Sequence, residues 1–237
     1  MFSAKDLLRF GCVITIAFPI TLFSRADTAA ASETSPQAAV ESFHHTLLDT
    51  MQNARSLGPK GRFAELEPVI LRLFDMPSIT RTVVGRDWER LSTEQQTKLT
   101  IAFERFEVAQ FADLFDSYGG QRFRSLEIKP AAGGAVIVAT VMESEGLPPV
   151  YFDYKVHRDA DSWRVEDIRF NAWLSIVERR RGELRDVLRR RGFDGLISRL
   201  DAHTQIVLDG ADNAFTPHLA NLRPDAHLPY PLPLPLP

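Results

Sequence analysis

The sequence predicts an α+β fold in which helices pack against one face of a four-stranded antiparallel sheet. Apolar residues recur at helical spacing over residues 36–118, alternate with polar residues over 122–170, and return to helical spacing over 174–208. The alternating segments are separated by short turns, which favours an antiparallel meander because a parallel connection needs about a dozen residues. Helices on both sides of such a meander in the chain are typical of α+β proteins.

The first block predicts two shorter helices and one long helix. Apolar residues three and four apart mark the first helix behind Pro36, and a second helix follows the break at Gly58–Gly61. Ser92 and Gln95 have capping-box spacing, which predicts the start of a long helix, and Gly119–Gly120 predict its end. This helix is apolar over a wide arc, so we expect it to contact the sheet on one side and another element on the other.

The second block predicts four strands, and alternation assigns their faces. Phe152 and Tyr154 should share one face of the third strand, and Trp163, Val165 and Asp167 one face of the fourth. The predicted strands are Arg122–Lys129, Ala135–Met142, Val150–His157 and Trp163–Phe170.

Composition excludes several classes of protein. A net charge of -3 argues against a general nucleic-acid binder, which needs a basic face. A mean hydropathy of -0.14 over 237 residues excludes a protein with many membrane spans. Sixteen Phe against four Tyr and three Trp indicate a large dry interior or an apolar cavity, because most of these rings have no polar group.

Residues 1–31 have the pattern of a secretory signal peptide. Two basic residues precede the uncharged stretch Phe10–Phe23, and Ala29–Ala31 supply small residues for cleavage. The stretch is shorter than the roughly 20 residues that span a bilayer. We therefore expect export to the periplasm by a cleaved signal, with an uncleaved membrane anchor as the alternative. The only cysteine, Cys12, lies inside this segment, so the exported chain would have no disulfide.

Residues 209–237 are predicted to be a proline-rich disordered tail behind a folded domain of residues 32–208. Proline at alternate positions over Pro229–Pro237 removes backbone donors and prevents helix or central strand. The tail is either an inert end or a docking segment for a partner.

A series of short motifs resembles the MlaC and toluene-tolerance family of periplasmic lipid-binding proteins. The motifs are Phe74–Asp75, Val84–Trp88, Leu91–Gln95, Tyr118–Gln121, Ala139–Val141, Pro149–Tyr154, Trp163–Ile168, Ser175–Val177 and Arg181–Leu184. The resemblance covers about residues 36–205, and Val83–Trp88 with Glu107–Tyr118 is most similar to the hopanoid-biosynthesis branch, HpnM. The chain departs from the family pattern at Asn171–Leu174, where the bulky Trp173 is expected to narrow or redirect a cavity.

The resemblance implies a monomeric carrier whose curved sheet and long helices enclose an apolar cavity for a hopanoid or a phospholipid. It also implies exchange with an inner-membrane MCE-type ABC lipid transporter and with an outer-membrane acceptor, without metal or cofactor. We expect Arg180 to reach a headgroup at the cavity mouth. The expected lining is Phe103, Phe106, Phe111, Leu114, Phe115, Val138, Phe152 and Tyr154, closed by Trp173, Ile176 and Val177. An ordinary filled core is the alternative for these residues.

The helix from Ser175 to Arg191 is basic, and Gly192 separates it from a second helical segment. Seven arginines against three acidic residues leave the first segment at +4 in a protein of net charge -3. Such a helix is either a solvated surface with partly paired arginines or a docking surface for anionic headgroups or an acidic partner.

An enzyme similar to ketosteroid isomerase is the alternative function. Tyr154 and Asp167 lie on predicted strands and are expected to face a common interior, where a raised-pKa acid and a carboxylate base could act together. No familiar catalytic motif accompanies them, and no histidine has metal-ligand spacing with suitable partners. We expect His44 and His45 to form a pair on a helix surface. A third hypothesis, a scaffold with a filled core, would bind no lipid.

Overall fold

The computed structural model describes residues 35–210. The described chain contains five α-helices, two short 3-10 helices (Gly85–Arg90 and Ala132–Gly134) and one five-stranded sheet. The predicted signal segment lies outside the described residues, as does all of the predicted tail after Gly210. The helices are α1 (Pro36–Gln52), α2 (Ala54–Leu73), α3 (Met76–Val84), α4 (Thr93–Leu114) and α5 (Ile176–Leu208). The strands are β1 (Arg122–Pro130), β2 (Val136–Ser144), β3 (Leu147–Asp159), β4 (Ser162–Phe170) and β5 (Leu174–Ser175).

Local sequence signals determine where the helices begin and where they break. The capping box that begins α4 is complete: Ser92 Oγ accepts from the Gln95 amide, and the Gln95 side chain accepts from the Ser92 amide. Gly58 has φ 60° and interrupts α2 where the sequence predicted a break. Gly192, with φ 68° and ψ -172°, divides α5 into the two predicted segments. These positive φ values are readily adopted only by glycine.

Helix α4 ends at Leu114, five residues before the end predicted at Gly119–Gly120. The Phe115 amide donates the last helical hydrogen bond, to the Phe111 carbonyl, and residues 116–120 are all exposed. Most helix stability in proteins comes from packing of an apolar face, so the helix stops where that packing stops. Tyr118, which was expected on the helix, lies in the exposed loop.

The sheet is an antiparallel meander with strand order β1-β2-β3-β4-β5. The prediction of an α+β fold with an antiparallel sheet is correct, but the prediction of four strands is wrong, because β5 adds a fifth. Leu174 pairs with Phe170 and Ser175 with Arg169. A strand of two residues carries no alternating pattern, which is why the sequence gives no sign of it.

A β-bulge in β4 reverses the predicted faces of that strand. Val165 pairs with Val156, but the next pair joins Asp167 to Lys155, so Glu166 is an extra residue. After the bulge, Ile168 pairs with Tyr154 and is buried, while Asp167 is on the opposite face. The prediction that Asp167 shares a face with Val165 is therefore wrong.

The core lies between the helices and the face of the sheet that carries Phe152 and Tyr154. At the surface, helix α1 is joined to strand β1 by a hydrogen bond of 2.6 Å that Ser125 Oγ donates to Glu41 Oε1. The end of α2 reaches the edge of β4, where the Asp75 amide donates to the Val165 carbonyl. Within residues 35–210, no helix has both the length and the apolar character needed to cross a membrane.

Candidate functional site

The structure gathers most of the predicted lining residues into one apolar core and leaves one outside it. Eight of the apolar side chains are buried, Leu114 and Ile176 are partly buried, and Arg180 is buried among polar partners. Trp173 is 54% exposed. The eight buried side chains are Phe103, Phe106, Phe111, Phe115, Val138, Phe152, Tyr154 and Val177.

An aromatic cluster connects α1, the end of α2, α4 and the sheet. Phe43 of α1 is at its centre, with its ring centroid 5.5 Å from those of both Phe74 and Phe111 and 6.4 Å from that of Tyr154. Phe43 therefore lies between α4 and the sheet. The sequence had predicted that α4 would contact the strands directly. The further members of this cluster are Phe115, Phe123, Phe152 and Phe170. Edge-on and tilted ring pairs of this kind stabilise a dry interior beyond the area they bury.

The polar groups of this cluster are paired with each other. His44 Nε2 and the Tyr154 hydroxyl are hydrogen-bonded at 2.9 Å, and the His44 ring stacks on Phe123 at a centroid distance of 4.0 Å. Burial lowers the pKa of His44 to about 3, with a smaller contribution from His45, and burial raises the pKa of Tyr154. The expectation that His44 and His45 are a surface pair is wrong for His44, because only His45 is exposed.

A buried polar cluster joins α4 to both segments of α5. Arg180 Nε donates to Glu107 Oε1 at 2.6 Å, its Nη1 donates to Glu183 Oε2 at 3.0 Å, and its Nη2 donates to Gln110 Oε1 at 3.3 Å. The Gln110 amide is hydrogen-bonded to His203 Nε2 on the second segment of α5. The members of this cluster are Glu107, Gln110, Arg180, Glu183 and His203.

The charge of Arg180 is balanced within the protein. Burial alone would lower its pKa, but Glu107 and Glu183 more than offset that effect and raise it. Burial likewise opposes the ionised form of Glu183, yet Arg180 and Arg179 lower its pKa. We expected Arg180 to reach a lipid headgroup at a cavity mouth; instead its guanidinium is committed to two carboxylates and one amide. It acts as a connector of helices.

Phe103 and Phe106 belong to the polar side of α4. Phe106 lies under the Arg180 guanidinium, with 4.8 Å from Cζ to the ring centroid, and its ring is 5.0 Å from that of His203. Phe103 contacts Phe106 at 6.3 Å. Among the described residues, no ring contact joins this pair to the aromatic cluster. The predicted aromatic lining of α4 therefore divides by its ring contacts: Phe111 and Phe115 belong to the aromatic cluster, and Phe106 adjoins the buried polar cluster.

The proposed acid–base pair of the enzyme alternative is not assembled. Tyr154 is on the helix-covered face of the sheet and Asp167 is on the other face. Asp167 instead accepts hydrogen bonds from Ser175 Oγ (2.7 Å) and from the Val177 amide (3.2 Å) at the start of α5. Burial raises the pKa of Asp167, and these hydrogen bonds partly offset the rise. Its surroundings fit a helix-capping role.

The chemistry that this interior can perform is sequestration of apolar groups. In the part of the chain that the structure describes, His, Asp and Glu form no group of three placed to hold a metal ion. His44 pairs with Tyr154 and Arg180 with Glu107, whereas the buried Arg62 donates to the main-chain carbonyls of Ala112 and Ala54. An apolar guest would meet aromatic and aliphatic surfaces, and its burial would be favoured by about 25 cal/mol per Å² removed from water.

Sequence reasoning missed Phe43, His44, Glu107 and His203. The first two lie on the apolar face of α1, where His44 follows Val40 by four residues, so helical spacing alone could have located them. Glu107 and His203 also have this spacing, since Glu107 is four residues from Phe103 and His203 is three residues from Leu200, but spacing could not identify their partners, which are 73 and 93 residues away.

Comparison with known proteins agrees with the fold and the motifs. The family model described as MlaC protein matches residues 41–202, which is more than half of the chain. A phospholipid-binding protein from Ralstonia solanacearum, solved in complex with a phospholipid, is similar in structure, with a TM-score of 0.63 and 24% sequence identity. The likeness covers 72% of this chain and 97% of that one. The chain belongs to the MlaC protein family.

Proposed function

We propose that this member of the MlaC family is a periplasmic carrier that binds one phospholipid and moves it between the inner and outer membranes. The acyl chains would lie between the helix-covered face of the sheet and the helices, among the rings of the aromatic cluster. The observation that carries the proposal is this cluster, in which eight aromatic side chains from three helical regions and the sheet meet.

The energetics of such a site suit a carrier. Each methylene moved from water to an apolar interior contributes roughly 0.8 kcal/mol, so two acyl chains give ample affinity without covalent chemistry. The ionisable groups next to the rings support the same function. His44 is neutral at pH 7, because burial lowers its pKa to about 3, and the charge of Arg180 is balanced by carboxylates. Neither His44 nor Arg180 would therefore present an unbalanced charge to the lipid tails.

The choice of phospholipid as cargo is supported by the phospholipid in the Ralstonia solanacearum protein. A hopanoid is the second candidate, based on the resemblance to the HpnM branch. One argument for a flatter cargo is lost, because Trp173 points outward and does not narrow the interior. We further propose that the carrier is monomeric and exchanges cargo with an MCE-type ABC transporter of the inner membrane and with an outer-membrane acceptor.

Mass spectrometry of lipids extracted from the gently purified protein tests the proposal. We expect about one phospholipid per chain. Detection of a hopanoid instead would keep the carrier function but replace phospholipid as the cargo, and protein free of lipid would contradict the proposal. The same measurement on Phe152→Asp should show loss of lipid. The matched control is Ile101→Asp at an exposed position of α4, which should keep it. Circular dichroism of both variants separates loss of lipid from loss of folding.

An open slot inside the protein, expected from the sequence, stays a prediction. Val177→Phe tests it, because Val177 is buried at the start of α5 beside the core. If a slot is present, the added ring fills it: lipid occupancy falls and the melting temperature of lipid-free protein does not. If the interior is filled, overpacking lowers stability by about 1–3 kcal/mol, and the melting temperature falls.

A further inference from the structure

Three large apolar side chains are exposed at one end of the sheet. Leu147 is at the start of β3, Tyr151 is four residues further, and Trp173 is in the turn between β4 and β5; they are 46%, 45% and 54% exposed. Two hydrogen bonds hold the turn beside Tyr151: the Asn171 amide donates to the Tyr151 carbonyl, and the Tyr151 amide donates to Asn171 Oδ1. We call Leu147, Tyr151 and Trp173 the apolar rim.

The backbone of this turn holds Trp173 outward in an unfavourable conformation. Asn171 and Ala172 have φ values of 49° and 64°, and such values are uncommon for residues other than glycine. The Ala172 side chain has no polar atom and so forms no hydrogen bond that would offset this conformation. Backbone strain of this kind persists where the surrounding structure enforces it and is concentrated at functional positions.

The rim adjoins the apolar interior. Phe170 and Leu174, on either side of the turn, are both buried in the core, and they pair with each other across β4 and β5. Trp173 therefore stands between the solvent and the end of the core. A surface that covers the rim would meet the molecule at Trp173, next to the buried Leu174 at this end of the core.

Size and composition indicate what would cover this surface. The three side chains offer roughly 300 Å² of exposed surface, taking about half of the area that large apolar side chains bury. A stable protein–protein interface needs about 800 Å² per partner, so the rim is too small for one. Trp and Tyr are the residues enriched at the boundary between lipid and water, because each combines an apolar ring with a polar group.

The charges at this end of the sheet are balanced. Arg124 is paired with Glu143 at 3.2 Å and Arg169 with Asp167 at 3.9 Å, and Arg122 and Glu145 are neighbouring opposite charges on β1 and the β2–β3 turn. Attraction of the rim to a membrane would therefore depend on its apolar side chains and only weakly on salt. This distinguishes it from the arginine-rich surface of α5.

We propose that the apolar rim inserts into the interfacial layer of a lipid bilayer and places the end of the core against the membrane from which lipid is exchanged. The inference rests on the proposed function, since it describes where a carried lipid enters and leaves. Trp173 would then contact the membrane, whereas the sequence predicted that it would narrow or redirect a cavity.

Binding to vesicles of zwitterionic phosphatidylcholine tests the proposal with the full chain. In the double variant Trp88→Phe/Trp163→Phe, Trp173 is the only tryptophan. Its emission should shift to shorter wavelength when vesicles are added, and lipids brominated near the headgroup should quench it. Trp173→Ala should lower the vesicle partition coefficient at least about tenfold. Trp173→Phe should retain most of the binding, and Ile101→Ala, which removes an equally exposed apolar side chain from α4, should retain all of it.

Several outcomes would overturn the inference. The first is a Trp173 emission spectrum that does not shift when vesicles are added, and the second is equal partitioning of Trp173→Ala and the parent protein. The third is binding that is abolished by salt or by Arg185→Glu, because that result would assign the contact to the arginine-rich surface of α5. A change in sedimentation on Trp173→Ala without vesicles would assign the rim to a second copy of the chain. Extracted lipid is measured separately: a rim that binds vesicles in a protein that carries no lipid would refute the proposed function and leave the membrane contact standing.

Discussion

The ion pair between Arg180 and Glu107 provides the strongest single test of the packing between α4 and α5. The two side chains are 9% and 6% exposed and share hydrogen bonds of 2.6 and 3.4 Å. Glu107→Gln leaves the Arg180 charge buried with only the half-exposed Glu183 to balance it, and Arg180→Met leaves the Glu107 carboxylate unpaired. Removing one partner of a buried pair costs about 3–5 kcal/mol.

Replacing both partners should cost much less than the two single changes together. The double variant Arg180→Met/Glu107→Gln contains no uncompensated charge at this position, so it avoids the penalty of a buried, unpaired ion that each single variant incurs. We expect its free energy of unfolding to be within about 2 kcal/mol of the parent protein, which gives a coupling energy of at least ~3 kcal/mol. Urea unfolding at pH 7, followed by circular dichroism, measures all four proteins of the cycle.

The exposed pair of Arg189 and Asp186 is the matched control on the same helix. It is 2.5 Å long, but the Arg189 side chain is 75% exposed, so Arg189→Met should change stability by no more than about 1 kcal/mol. The reasoning is refuted if the Arg180 and Glu107 effects simply add, or if Arg180→Met costs no more than Arg189→Met.

Two further predictions follow from buried imidazoles and from backbone conformation. The pKa values of His44 and His203 are lowered to about 3 and about 4, chiefly by burial, so each neutral ring stabilises the fold fully above pH ~6.5 and that contribution is lost as the pH falls toward these values. Burial of each neutral histidine should therefore lower the free energy of unfolding by about 2 kcal/mol as the pH falls from 8 to 5. In urea unfolding measured at several pH values, His44→Gln should remove part of this pH dependence. If His45→Gln removes it as well, the assignment to His44 is contradicted. Gly192→Ala should destabilise by about 1–3 kcal/mol because φ 68° with ψ -172° is accessible essentially to glycine alone, although its Cβ would meet no atom within 4 Å. Gly182→Ala, inside the helical part of α5, should stabilise by about 0.5–1 kcal/mol, and calorimetry showing the same sign for both would refute the distinction.

The features that the sequence predicted well are those encoded by neighbouring residues. The capping box of Ser92 and Gln95 and the break at Gly192 depend on contacts and torsions within a few positions, so spacing identifies them. The positions of the four long strands follow in the same way from alternation and turn residues. The end of α4 does not, because it depends on where the rest of the molecule stops covering the helix.

The candidate site was predicted only in part for a related reason. Phe152 and Tyr154 are on the predicted face, because alternation on β3 is regular up to Lys155. Arg180 was assigned to a lipid headgroup because its partner Glu107 is 73 residues away, and periodicity contains no information on that pairing. Long-range partners of buried charges are decided by the tertiary packing of α4 on α5.

The additional residue at Glu166 has a consequence for how this strand can change in evolution. The chain on the two sides of the bulge is out of phase by one position, and both Val165 and Ile168 are buried as a result. Closing the bulge without losing a residue would pair Glu166 with Lys155 and Asp167 with Tyr154, which would bring the Asp167 carboxylate into the interior and move Phe170 to the solvent face. Loss of Glu166 alone would keep all the other pairs and both buried positions, so relatives with a strand one residue shorter at this point should have the same faces and no bulge.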